Sequence, residues 1–80
     1  MEDKQLFDRI GDLVEEEHGL ERQASERGLD EPQRERLRQL EVQLDQCWDL
    51  LRQRRARRAA GLDPDTAGVR PAAEVEGYLQ

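Results

Sequence analysis

Leu37, Leu40, Leu44, Cys47 and Leu51 recur at steps of three, four, three and four residues, with no helix breaker after Pro32. That interval keeps the apolar groups on one stripe of a 3.6-residue helix. The spacing predicts a helix over 31–60. At about 1.5 Å per residue it is roughly 45 Å long, more than an average globular helix and suited to a coiled-coil arm. Such a helix cannot bury its own seam, so it needs a second arm.

The chain supplies that arm first. Leu6, Ile10, Leu13, Leu20 and Ala24 follow the same beat and miss it once, at Glu17. The pattern predicts a helix over 3–27. Its weak points are Gly11 and Gly19, each unfavourable by about 1 kcal/mol relative to Ala, so a bend or an early end near His18-Gly19 is the alternative to a continuous helix. Between the arms lies Gly28-Leu29-Asp30, and the same triplet returns as Gly61-Leu62-Asp63. Gly takes the left-handed conformation after a helix end, and the Leu folds over the last turn. Asp then offers its carboxylate to the next free N–H groups, with Pro32 or Pro64 in the early turn where no donor is needed. The first joint is short enough to make an antiparallel helical hairpin.

Folding there pairs positions whose numbers sum to about 57: Leu20 with Leu37, Leu13 with Leu44, Ile10 with Cys47 and Leu6 with Leu51. The same register sets Glu21 near Arg36 and Arg38, and Asp3 near Arg54. Residues 1–30 carry a formal charge of −6, residues 31–60 +3 and residues 61–80 −3, so an acidic arm lies against a basic one. The fold class is therefore all-α: an antiparallel, coiled-coil-like two-helix hairpin over 1–61 with a short, partly helical C-terminal tail over 62–80. One turn is expected at Asp63–Thr66 and another from Pro71, ending at Gly77. Val69, Val75, Tyr78 and Leu79 are many apolar groups for a purely solvated tail; disorder is the competing expectation.

The hairpin leaves apolar groups over. Phe7 and Val14 in the first helix and Trp48 in the second sit one step beyond the seam, and burying a large side chain contributes roughly 1.5–3 kcal/mol. Two hairpins packed face to face would bury this stripe in a four-helix bundle with two-fold symmetry. The competing covers are the tail, with Tyr78 and Val75 as a lid, and a foreign helix. The leading expectation is thus a non-catalytic helical interaction module that forms a homodimer or binds another helical protein.

Other chemistry is weaker. Arg52, Arg54, Arg55, Arg57 and Arg58 place five guanidinium groups within seven residues. They offer an alternative function, an RNA- or ribosome-associated factor gripping phosphates. Against it, the cluster complements a helix C-terminus, acidic Glu2 and Asp3 come close in the hairpin register, and the net charge is −6. No metal site is expected. Glu15-Glu16-Glu17-His18 lacks a histidine pair one turn apart, and Cys47 lies level with Ile10, about 12 Å of helix from His18. Cys47 reads as a buried, inert thiol. Catalysis is not expected, because the carboxylates line wet outer faces and the glycines form no phosphate loop. No cofactor or small-molecule substrate is implied. One cysteine excludes an internal disulfide, and no apolar run exceeds two residues, which excludes a membrane span and a secretory core segment.

Leu44-Asp45-Gln46-Cys47-Trp48-Asp49-Leu50-Leu51-Arg52-Gln53-Arg54-Arg55-Ala56-Arg57-Arg58, the ending Val69-Arg70-Pro71-Ala72-Ala73-Glu74-Val75-Glu76-Gly77-Tyr78-Leu79-Gln80 and the opening Ile10-Gly11-Asp12-Leu13-Val14-Glu15-Glu16-Glu17-His18 carry a resemblance over nearly the whole chain. The sequence resembles a short family of high-GC Gram-positive bacteria, number twenty-six-thirty in the series of domains of unknown function. The resemblance implies a free-standing cytoplasmic protein of about this length and supplies no catalytic, cofactor or metal residue. A further expectation is an adaptor role for Glu74–Gln80.

Overall fold

Helix α1 (Asp3–Arg27) begins where the Glu2 backbone N–H donates to Gln5 Oε1 at 2.8 Å. It is continuous through Gly19 over the expected span, with no early end there: a helical glycine is unfavourable by only about 1 kcal/mol, and the seam on either side holds it. The computed structural model describes the backbone of residues 2–79 and side chains through Val75.

The joint works as its residue types predict. Gly28 has φ +76° and ψ 173°, a region essentially confined to glycine. Asp30 Oδ1 accepts from the Gln33 N–H at 2.9 Å, and Gln33 Oε1 accepts in return from the Asp30 N–H at 3.0 Å. Two orphan donors are thereby satisfied, and α2 (Glu31–Ala59) starts with Pro32 in its first turn. At its far end the Gly61 N–H donates to Arg58 O and the Leu62 N–H to Arg57 O, at 3.1 and 2.7 Å. With Gly61 at φ +75°, this is a Schellman motif. Leu62 does not bury against the last turn as expected; it remains exposed.

The two arms pack antiparallel. Ile10, Leu13, Leu40 and Leu44 form one buried cluster; Leu6, Leu50 and Leu51 form a second, and Cys47 touches both. Leu20 and Leu37, expected at the seam's loop end, are only partly buried, and Ala24 is exposed. Asp3 meets Arg54 as the register requires, but Arg36 pairs with Glu16 at 2.6 Å rather than with Glu21, and Arg38 pairs with Glu35 of its own helix. The correction follows from facing: Arg36 and Glu16 each precede a seam position, whereas Glu21 follows one.

The tail is ordered against α2. A short 3-10 turn at Pro64–Thr66 is capped by Asp63, whose carboxylate accepts from the Asp65 N–H at 2.9 Å. Helix α3 (Ala72–Leu79) continues past the expected stop at Gly77. Both elements pack on α2, and among the described residues neither lies close to α1. Val75 is fully buried, and Ala67 packs against the Leu6–Leu50–Leu51 cluster. The molecule is elongated, 50 × 25 × 16 Å, with a radius of gyration of 14.8 Å; a compact domain of this length would have about 12 Å.

Candidate association face

The hairpin has two open faces, and cross-strand contacts tell them apart. Arg9 and Gln43 precede the seam residues Ile10 and Leu44, and they hydrogen bond across the groove at 3.2 Å. Arg36 and Glu16 bridge the same side. Val69 from the tail lies there too, over a groove lined by Leu6, Arg9, Gln43, Gln46, Cys47 and Leu50. This face is occupied.

Residues that follow seam positions lie on the opposite face. They are Phe7, Gly11, Val14, His18 and Glu21 on α1, and Glu41, Asp45, Trp48, Arg52 and Arg55 on α2. Phe7 is 47% and Trp48 41% exposed, and Val14 is partly buried against the core edge. Val75, expected as part of a lid over this stripe, is buried where α3 packs on α2, while Phe7 and Trp48 stay exposed. Tyr78, the other expected lid residue, has its side chain outside the described residues.

What holds the tail against α2 is a polar latch. Asp49, fully buried on the outer side of α2, accepts from both the Nε and an Nη of Arg70, and from Gln53 Nε2 at 2.9 Å. Gln53 also donates to Gly68 O, and Gln46 to Arg70 O. The hydrogen bonds from Arg70 hold the Asp49 carboxyl below the usual carboxylate range. A buried carboxylate is tolerated only with such partners.

The five arginines do not share a surface. Arg54 is 6% exposed: its Nε donates to Asp3 at 2.6 Å, and its Nη1 to Asp65 at 2.9 Å and to Pro64 O at 3.3 Å. Arg58 donates to the second oxygen of Asp3. Hydrogen bonds from Arg58 and Arg54 lower the Asp3 pKa to about 2. This cluster ties α1, α2 and the 3-10 turn together. Arg52 and Arg55 are exposed, Arg52 in a groove shared with Arg70 of the tail, while Arg57 lies beside Gln53, Ala56 and Leu62.

Glu17 occupies the seam beat that the apolar pattern missed. Desolvation, reinforced by Glu21, Glu41 and Asp45, pushes its pKa up. Glu17, His18 and Glu21 bring one ligand atom each within 4.8 Å of one another, a grouping the sequence reading did not single out. All three come from one turn of one solvent-facing helix, so they enclose no coordination sphere. Desolvation likewise raises the pKa of the half-buried Cys47 thiol, against reactivity. No described helix is long and apolar enough to cross a membrane.

Fold and surface together define a small all-helical protein: a two-helix hairpin with a docked tail and exposed aromatic groups at Phe7 and Trp48. The chain belongs to the family described as "Protein of unknown function (DUF2630)", whose model matches residues 2–80. It is 52% identical over 77 residues to uncharacterised proteins of Mycobacterium bovis and of two Mycobacterium tuberculosis strains, covering 95% of this chain and 88% of each relative. No solved structure matches it.

Proposed function

We propose that the protein is a non-catalytic association module whose working surface is the Phe7–Val14–Trp48 face, and that this face docks on a second copy to form a four-helix bundle. One observation carries the reading: Phe7 and Trp48, which both follow seam positions, remain 47% and 41% exposed in the folded chain. Burying each contributes roughly 1–2 kcal/mol beyond its present partial cover. A hairpin is a single layer of helices, and domains are ordinarily stable as two. A second copy supplies the missing layer.

Light scattering and sedimentation over a range of concentrations test this. The expected mass is that of two chains, falling to one for Trp48→Asp while helical circular dichroism is unchanged. A single-chain mass at every concentration would overturn the reading.

A further inference from the structure

The stripe of α2 that follows the seam reads Glu41, Asp45, Trp48, Arg52, Arg55: two acids, the tryptophan and two bases at steps of four, three, four and three, all exposed except the half-buried Asp45, with Arg52 bordering Arg70 of the tail. Reversed about Trp48, the order exchanges acids for bases at nearly matching distances. Position 41 is seven residues from 48 and so is position 55; positions 45 and 52 are three and four away. The stripe is complementary to itself when inverted.

We infer that two copies associate face to face with α2 antiparallel to the partner's α2, the two-fold axis passing at Trp48, so that Arg55 meets Glu41 and Arg52 meets Asp45 of the other copy. This rests on the association reading above and adds its orientation. The other face-to-face two-fold, with its axis along the helices, keeps each level opposite itself. It would set the acidic half, where Glu21, Glu41 and Asp45 already act on Glu17, against its own copy. The crossed arrangement removes that repulsion and adds four attractive contacts per dimer.

The first helix fits the same axis independently. In the hairpin register Trp48 is level with position 9, so inversion about it sets Phe7 of one copy opposite Gly11 of the other. Gly11 is a mid-helix glycine at which a Cβ would meet nothing within 4 Å beyond its own helix backbone and chain neighbours. Nothing inside the protomer needs its smallness, and helix propensity disfavours it by about 1 kcal/mol. A facing Phe7 ring uses the notch it leaves between Phe7 and Val14. Arg52, which also acts on Asp49 in its own chain, is not needed for the test.

Charge exchange at the outer pair provides that test. Arg55→Glu and Glu41→Arg each place like charges together twice per dimer, and each is expected to weaken self-association about tenfold at low salt. An equimolar mixture of the two variants restores both pairs, so a heterodimer of near wild-type affinity is expected, as is recovery in the double variant. Separately, Gly11→Leu is expected to weaken the dimer while leaving helical content unchanged. If the wild-type chain is a monomer throughout, the association reading itself fails. If it is a dimer but the single variants have no effect, or the mixture stays as weak as its components, the antiparallel register alone is overturned.

Discussion

At the scale of single residues, three positions in α1 and its turn give opposite answers to similar changes. Gly19 has an ordinary helical backbone and no atom near a would-be Cβ, so Gly19→Ala should stabilise the fold by up to about 1 kcal/mol, a rise of several degrees in Tm. Gly28 has φ +76° in a region that L side chains rarely adopt, so Gly28→Ala should destabilise by about 1–3 kcal/mol. Both are read by thermal unfolding, and matching signs would contradict the backbone assignment. Glu17 is a third kind of case. Its folded pKa lies above its ordinary value, so its ionised form is disfavoured by folding at neutral pH. Glu17→Leu completes the seam and removes that burden, so unfolding at neutral pH should require about 1 kcal/mol more. An unchanged or lower midpoint would mean Glu17 is better solvated than its position implies.

At the scale of elements, legibility followed the range of the interactions. Both long helices, their joint and their pairing were readable because they depend on local signals: the three-four beat, the Gly-Leu-Asp stops and the summed register of 57. Phe7, Val14 and Trp48 were readable as surplus to the seam for the same reason. The burial of Leu50, Asp49 and Arg54 was not, because it is imposed by a tail 10 to 21 residues away that docks through side-chain contacts. Asp49 in particular looks like one more outer acid until Arg70 arrives. Facing also decided which partner each arginine took, as Glu16 rather than Glu21 for Arg36 shows. The latch yields its own prediction. Removing one partner of a buried ion pair usually costs about 3–5 kcal/mol, but here the tail can swing away and rehydrate Asp49. Arg70→Ala should therefore release the tail rather than unfold the molecule. Amide exchange should speed up at Glu74 and Val75 and remain slow in mid-α2, near Leu44. Uniform loss of protection across both regions would show instead that tail and hairpin unfold together.

At the scale of the whole molecule, the two ends of the hairpin are held by different forces and should fail in order. The middle is apolar, with Ile10, Leu13, Leu40 and Leu44 in one cluster, and titrates little. The open end is electrostatic: Asp3 and Asp65 converge on Arg54, Arg58 adds to Asp3, and the adjoining tail hangs on Asp49 and Arg70. Asp3, Asp49 and Asp65 all have pKa values below the ordinary 3.8, Asp3 at about 2. A depressed carboxylate stabilises the fold fully above its unfolded pKa, and that contribution is lost as pH falls through the folded one. The loss therefore begins near pH 4 and is largely complete for Asp3 near pH 2. Glu17 works in the opposite sense, since its protonation on acidification relieves a disfavoured charge next to the apolar middle. Acid should thus loosen the tail and the open end while the centre of the hairpin holds. Residue-resolved chemical shifts followed from neutral pH to pH 2 would show tail and α1 N-terminal signals moving first, with Leu13 and Leu44 moving later; simultaneous change at all sites would mean that the apolar middle has no stability independent of the charged end.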